Sequence, residues 1–278
     1  MTGERSRPLI QRFLPEASPR AFVWKYAESI GGRRPRHFHS EPELNLVVRG
    51  SATFGIGARV VSVHAGELLA FPAGQDHALL AASSDLFLYA IGLDPAYSSK
   101  VLGPRHPASG PLHVRLAAAE LSPVVAAATD AVDRPGADQL CAELWSRVHW
   151  LGERAASRAP ATHVLTRRAL QAMAAEAELG LDGLARELRA HPSDVSRYFH
   201  RDVGVTLVRY RTRLRLLNVI ELVDSGRYDL MAAASAAGFG SYSQCHRSFQ
   251  SELGCAPRDF FRSELRSRMQ LTYAPSGN

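Results

Sequence analysis

Two segments of the C-terminal part share one arrangement of apolar and polar positions, at residues 181–201 and 230–249. In the first, Arg197 stands two residues before Phe199, and the corresponding Arg of the second is Arg247. At about 100° per residue, the Arg of a helix points outward when the Phe points inward. Each segment is therefore predicted to be a helix-turn-helix, a unit that places its second helix in the major groove of DNA.

A third amphipathic pattern joins these two units at residues 206–223. Apolar Leu207, Tyr210 and Leu214 recur at steps of three and four, which predicts a helix of about 18 residues and about 27 Å. Such a helix would hold the DNA-reading second helices of the two units near one DNA turn apart, about 34 Å. Four Arg side chains of this helix are predicted to be exposed, either as a solvated face or as contacts to DNA phosphates. They are Arg209, Arg211, Arg213 and Arg215.

The N-terminal half has a different pattern, with short apolar runs separated by Gly, Pro and Asp. Residues 44–56 are predicted to be a hairpin that turns at Arg49-Gly50-Ser51. Further strands are expected at residues 59–63, 68–72 and 86–91, and a surface connection at 94–111. Many strands of about five residues with such turns indicate a sandwich or a barrel.

Two helices are predicted between the strands and the C-terminal units, at residues 116–128 and 137–158. The second helix carries an apolar stripe, with Trp145 and Trp150 beside it. The stripe either packs within the chain or forms the interface of a homodimer, and we favour the interface. Its members are Leu140, Leu144, Val148 and Leu151.

Composition narrows the class of protein. The 278-residue chain is long enough for two domains with separate cores. Its net charge is +6, and from residue 161 onward it holds 16 Arg against 12 Asp or Glu, which weakly favours an anionic partner. Three scattered cysteines form no CxxC motif, as suits a reducing compartment. Because no segment reaches about 18 apolar residues, we expect a cytoplasmic protein that contacts no membrane.

One constellation in the N-terminal half has metal-ligand chemistry. Positions 37, 39 and 43 share parity, so His37, His39 and Glu43 on one strand would all point into the barrel. His77 on a neighbouring strand would add a third imidazole. Three nitrogens and one carboxylate suit the divalent transition metals Zn, Fe, Mn, Ni or Cu. The alternatives are a pocket for a small-molecule effector without metal, and a barrel that binds no ligand.

Residues 165–266 resemble the DNA-binding domain of the arabinose-regulator (AraC/XylS) family of transcription factors. The resemblance rests on the two units in order, the linking helix around Tyr210, the Gly238-Phe239-Gly240 corner and the closing segment 254–262. Two positions depart from the family pattern, Cys245 in place of an aromatic residue and Ala233 in place of Ile. Both make the predicted core of the second unit smaller.

The N-terminal half resembles the cupins, which are small jelly-roll barrels. The spacing from Gly31 through His37, His39 and Glu43 to Gly50 matches the first cupin motif, and the spacing from Gly66 to His77 matches most of the second. The two resemblances imply a two-domain α+β chain. Its expected parts are a cupin-like sensor barrel at 1–111, a helical dimerisation segment and linker at 112–160, and an all-α double helix-turn-helix domain at 161–278.

The family's base-reading positions fall on eight residues of this chain. For Ser193, an N-cap role is as plausible as a base contact. Arg197 and Arg247 are stronger candidates for base contact, because an exposed Arg next to a core Phe contributes little to packing. The eight positions are Ser193, Ser196, Arg197, Tyr242, Ser243, Gln244, His246 and Arg247.

The resemblance implies a transcriptional regulator rather than an enzyme. Its expected partners are double-stranded DNA, a small-molecule effector, a second copy of the chain and, if it activates, RNA polymerase. Two alternatives remain open at this point. One is a metal-dependent cupin enzyme fused to a DNA-binding domain, and the other is a regulator whose barrel only dimerises.

Overall fold

The computed structural model describes residues 9–11, 13–14, 20–27, 35–102, 112–132, 134, 137–156, 162–175 and 179–262. Gly31 of the first cupin motif and residues 157–160 at the end of the predicted linker lie outside these residues. The strands of the N-terminal half are β1 (Leu9–Ile10), β2 (Ala21–Ala27), β3 (His37–Phe38), β4 (Glu43–Arg49), β5 (Ser51–Ile56), β6 (Arg59–His64), β7 (Glu67–Phe71), β8 (His77–Ala82), β9 (Phe87–Leu93) and β10 (Leu112–Arg115).

These strands form two five-stranded sheets that face each other as a jelly-roll barrel, which confirms the predicted fold class. One sheet has the order β1-β3-β8-β5-β6, and the other has the order β10-β7-β4-β9-β2. Side chains alternate across each strand. Phe54 and Phe71 therefore pack in the interior between the sheets, whereas Leu44 and Leu46 face the opposite side of β4.

The hairpin predicted for residues 44–56 is wrong. β4 pairs with β7 and β9, whereas β5 pairs with β6 and β8, so the two strands belong to different sheets. The turn at Gly50, whose φ is +68°, carries the chain from one sheet to the other. Local apolar alternation indicates strands but leaves their hydrogen-bonding partners open.

Helices cover the outer face of the second sheet. They are α1 (Pro95–Leu102), which lies within the predicted surface connection, α2 (Ala118–Ala131) and α3 (Asp138–Ala156). The apolar stripe of α3 packs within the chain, because Leu144, Val148 and Leu151 are buried in one cluster with Leu44 and the other outward side chains of that sheet. The interpretation of this stripe as a dimer interface is therefore wrong.

The C-terminal part is all-helical. Its helices are α4 (Val164–Ala175), α5 (Leu181–Leu188), α6 (Pro192–Val203), α7 (Leu207–Asp224), α8 (Leu230–Ala236), α9 (Tyr242–Leu253) and α10 (Pro257–Arg262). Two separate cores form, one around α5 and α6 and one around α8 and α9, and α7 contributes to both. Phe199 and Phe249 are fully buried at their centres, as predicted. Cys245 and Ala233 are buried in the second core, where Phe260 also packs.

The linking helix α7 has the predicted 18 residues. One expectation about it is wrong, because the side chain of Arg213 is only 1% exposed. Tyr210 also faces the barrel, and its hydroxyl donates a hydrogen bond to the Ala73 carbonyl. The barrel thus packs directly on α7. Within the described ranges, no helix is both long enough and apolar enough to cross a membrane.

Candidate functional site

The first recognition helix, α6, has defined ends. Pro192 occupies its first turn, where the missing N–H costs nothing. The cap is His191, whose Nδ1 accepts from the Ser193 N–H at 3.3 Å and lies 2.8 Å from the Ser193 hydroxyl oxygen. The N-cap alternative considered for Ser193 is therefore wrong. Gly204 ends the helix in the left-handed region, with φ of 78°.

The predicted base-reading side chains of α6 lie on its open face. Ser193 and Arg197 are exposed and Ser196 is half-buried, while Phe199 points into the core. Arg197 Nη2 donates to Asp194 Oδ1 at 2.7 Å, and its guanidinium lies over the Tyr198 ring. An ion pair this exposed stabilises little, so Arg197 is available to a stronger anionic or base-edge partner.

The second recognition helix, α9, begins with a side-chain cap at Ser241. The Ser241 hydroxyl accepts from the Gln244 N–H at 3.2 Å, and Gln244 Oε1 accepts from the Gly240 N–H at 3.0 Å. The predicted base-reading residue Gln244 therefore has a capping role when no DNA is bound. Gly254 ends α9 with φ of 79°, as Gly204 ends α6.

The remaining predicted positions of α9 also lie on its outer side. Ser243 and Arg247 are exposed, and Tyr242 and His246 are half-buried with their rings 6.3 Å apart. A cleft of about 590 Å³ runs between this face and the first half of α7. Its walls combine hydroxyl, amide and guanidinium groups with two Val208 methyls and one carboxylate, from Thr206, Val208, Arg209, Thr212, Gln244, Arg247, Ser248, Ser251 and Glu252.

The second candidate site is the imidazole cluster, which consists of His37, His39 and His77 together with Glu43. All four residues are buried, and one nitrogen of each imidazole lies within 4.8 Å of the others. The sequence argument for this cluster is only partly right. His37 begins β3 and Glu43 begins β4, so they belong to different strands in different sheets rather than to one strand.

The three imidazoles share one hydrogen-bonding pattern at Nδ1. The Nδ1 atoms of His37, His39 and His77 lie 2.8, 2.8 and 2.9 Å from the backbone carbonyls of Pro35, Glu41 and Gln75. Because a carbonyl only accepts, each Nδ1 must carry the proton, and in a neutral ring this leaves a free lone pair on Nε2. Backbone carbonyls that hold Nδ1 in this way are typical of histidines that bind metal.

The carboxylate of Glu43 faces two of these nitrogens. Its Oε2 lies 2.9 Å from His39 Nε2 and 3.2 Å from His77 Nε2, and the second contact is not aligned as a hydrogen bond. Two facing lone pairs repel, so the site requires a proton or a metal cation between them. Burial alone lowers the pKa of His39, but the Glu43 carboxylate outweighs it and raises that pKa.

The pKa values of His37 and His39 shift in opposite directions. Burial, followed by the neighbouring His77 and His39, holds the pKa of His37 well below its ordinary value. Burial raises the pKa of Glu43, but the imidazoles outweigh burial, so that pKa lies well below its usual range. The cluster thus combines an ionised carboxylate with a neutral His37, and this donor set suits a divalent transition metal.

Sequence reasoning missed three neighbours of the cluster. Asn45 donates to Glu43 Oε1 at 2.8 Å, and its same-face position two residues along β4 was a usable signal. The Phe71 ring stacks on His77 at 4.4 Å, and the Phe13 ring lies 5.4 Å from His39. Phe13 lies 26 residues before His39 in no recognisable pattern, so only the fold reveals it. The cluster therefore has one apolar wall.

Two family models match separate regions of the chain. A family model described as a helix-turn-helix domain matches residues 184–263, and one described as a cupin domain matches residues 29–91. No curated protein matches the chain significantly.

Several solved structures are similar to this chain at low sequence identity. The fatty-acid-bound ToxT from Vibrio cholerae is 13% identical with a TM-score of 0.48, and the match covers 89% of this chain and 96% of ToxT. The C-terminal domain of AraT, a response regulator from Geobacillus stearothermophilus, is 22% identical with a TM-score of 0.35, covering 42% and 96%. The AraC-like transcriptional activator CuxR is 10% identical with a TM-score of 0.34, covering 79% and 78%.

Proposed function

Since the chain belongs to the AraC/XylS family of regulators, with a cupin domain ahead of an AraC-type helix-turn-helix domain, we propose that it is a transcription factor whose barrel senses a small-molecule effector. In this proposal the two units read adjacent major grooves of one DNA duplex. The observation that carries it is the paired exposure of Arg197 and Arg247 on two recognition helices joined by α7.

Each proposed DNA contact follows from side-chain chemistry. Arg197 and Arg247 would bind guanine with two hydrogen bonds, whereas Ser193, Ser243 and Tyr242 would bind bases or phosphates. Gln244 would read adenine only by releasing the Gly240 N–H, which leaves that donor to water. The cleft between α7 and α9 would receive the phosphate backbone, because Arg209 and Thr212 line it beside Arg247.

Footprinting of the purified protein on the DNA upstream of its own gene tests this proposal. Arg197→Ala and Arg247→Ala should each cost about 1–3 kcal/mol of specific binding and relax preference at a few base pairs. Arg168→Ala is the matched control, because Arg168 is exposed on α4 outside both recognition helices. Wild-type affinity of both recognition-helix variants, or an equal loss in the control, would refute the assigned docking.

For the barrel, we propose that the imidazole cluster is the sensor site and that it holds a divalent transition metal. The residues fit such an ion: three buried imidazoles and the Glu43 carboxylate converge, and His77 Nε2 has no hydrogen-bond partner. The bound metal would supply open coordination positions for an oxygen or nitrogen atom of the effector. The apolar wall formed by Phe13 and Phe71 would contact the rest of that molecule.

Elemental analysis after purification without chelator tests the metal. His37→Ala combined with His39→Ala should abolish any transition metal present, because half of the ligand set is lost. His64→Ala is the control, since His64 is exposed on β6. A metal-free wild type that also fails to take up added Zn²⁺ would refute the metal and leave an effector pocket lined by the same residues. Thermal shifts with candidate metabolites would then identify the effector.

The remaining parts of the proposal concern assembly and location. We propose that the protein forms a homodimer. The apolar stripe of α3 is buried and does not support this proposal. Its support is Trp150 of the same helix, whose side chain is half-exposed. Contact with RNA polymerase is proposed only for an activator. A cytoplasmic location fits a protein that binds DNA. Sedimentation of wild type and Trp150→Ala would test the dimer.

A further inference from the structure

The most deeply buried charge between the barrel and the helical part is Arg213, at the middle of α7. Its Nη1 donates to Asp76 Oδ1 at 2.5 Å, and its Nε donates to Glu252 Oε2 at 3.0 Å. The guanidinium carbon lies 5.1 Å from the centre of the Phe38 ring. A charge this buried persists only when its partners hold it in a defined geometry, so Arg213 fixes the positions of three groups at once.

Two of these three groups are sequence neighbours of the imidazole cluster. Phe38 stands between His37 and His39, and Asp76 immediately precedes His77. Because neighbouring side chains on a strand point to opposite faces, Phe38 faces away from the cluster. It packs instead against Leu217 of α7. A displacement of the imidazoles around a ligand must therefore move the groups that hold Arg213.

The third group, Glu252, belongs to the second recognition helix. Its carboxylate also accepts from Arg209 Nε at 2.8 and 3.1 Å, so two Arg residues of α7 hold it. Glu252 lies at the C-terminal end of α9, whereas the predicted base-reading residues Tyr242 to Arg247 occupy the other end. A contact there sets the angle of α9 against α7 from the end of α9 opposite the predicted base-reading residues.

We infer that Arg213 couples the imidazole cluster to the second recognition helix, through Phe38 and Asp76 on one side and Glu252 on the other. This inference rests on the proposed role of the cluster as sensor site. A ligand that draws His37, His39 and His77 together shifts Phe38 and Asp76, and Arg213 transmits that shift to α9. The spacing of the two DNA-reading helices then depends on whether the cluster is occupied.

Amide hydrogen exchange with Zn²⁺ as the probe tests the coupling without DNA. In the wild type, Zn²⁺ should slow exchange in the β3 and β8 region and also in α9, each by about fivefold or more. Arg213→Met keeps much of the volume and removes the charge. It should retain the zinc effect on the strands and lose the effect on α9.

Arg211→Met is the matched control. Arg211 lies on the same helix, and the contact of its Nη1 is with the Leu179 carbonyl of the helical part. This variant should behave as the wild type. Retained α9 protection in Arg213→Met, or protection of the strands without α9 in the wild type, would overturn the inference. If Arg213→Met does not fold, Asp76→Asn replaces it, because this change removes one charge and leaves the contact between Arg213 and Glu252.

A wild type that binds no Zn²⁺ would contradict the proposed metal, and the coupling then has an independent test. His77→Ala perturbs the cluster directly. It should speed exchange in α9 by about fivefold or more in the wild-type background and leave it unchanged in the Arg213→Met background. Equal effects in the two backgrounds would show that Arg213 transmits nothing.

Discussion

Gly204 and Gly254 occupy equivalent positions at the ends of the two recognition helices, and they allow a matched test of how the barrel docks. Both lie in the left-handed region, with φ of 78° and 79°. An L-residue there costs about 1–2 kcal/mol, offset by about 0.4–1 kcal/mol from the smaller entropy of the unfolded chain. Gly254→Ala should therefore lower the free energy of unfolding by about 1 kcal/mol.

Gly204 has an additional constraint, because the backbone of the barrel lies against it. A Cβ at this position would stand 3.0 Å from Ala58 N and 3.1 Å from Ile56 O. These are backbone atoms that cannot rotate away, so the barrel must shift. The shift strains the hydrogen bond from Ala58 N to Gly204 O, 3.3 Å, and the one from Arg59 Nη1 to Asp202 O, 2.7 Å. At about 0.5–1.5 kcal/mol each, their loss brings the cost of Gly204→Ala to about 2–4 kcal/mol.

Urea unfolding of both variants measures this difference. Gly204→Ala should lose at least twice as much stability as Gly254→Ala, and its two domains should unfold in more widely separated transitions. Gly57→Ala approaches the same contact from the barrel side, since its Cβ would lie 3.0 Å from the Gly204 carbonyl. Equal losses in the two cap variants would refute the docked arrangement of the barrel on α6.

Three further predictions concern the helical part. Leu214→Pro should break α7 at a cost of about 3 kcal/mol or more, and footprinting should show protection of one groove instead of two. Burial raises the pKa of Asp202, but hydrogen bonds from Arg201, the His163 N–H and Thr166 outweigh it and lower that pKa. The stability that Asp202 contributes is therefore complete above about pH 4 and is lost as the pH falls through the lowered value. The difference in unfolding free energy between wild type and Asp202→Asn should shrink in that acidic range, and a pH-independent difference would contradict it. Ser241→Ala should cost about 0.5–2 kcal/mol in thermal unfolding, while Ser243→Ala should cost nothing comparable.

Local periodicity determined much of the helical domain. The helical repeat alone assigns Phe199 and Phe249 to the cores and Arg197 and Arg247 to the open faces, because a two-residue step reverses the direction of a side chain on a helix. The same reasoning gives α7 its length. These features depend on residues close in sequence, and the structure confirms them.

The sequence predicted which residues form the imidazole cluster, but it did not predict how the fold brings them together. Spacing predicted that His37, His39, Glu43 and His77 would meet, and the structure brings them together. The reason given from parity on one strand was wrong, since the chain passes from one sheet to the other between His39 and Glu43. A barrel interior receives the inward side chains of both sheets. The residues therefore converge by closure of the barrel rather than by alternation along a strand.

Tertiary structure alone decided which surface covers each face. Arg213 appears from the sequence as one of four exposed Arg residues on α7, yet it is buried between Asp76 and Glu252, 137 and 39 residues away. The apolar stripe of α3 appears equally suited to a subunit interface and to the barrel, and the structure packs it on the barrel. Amphipathic spacing shows that a face will be covered, but the covering partner is set by long-range contacts that local periodicity does not encode.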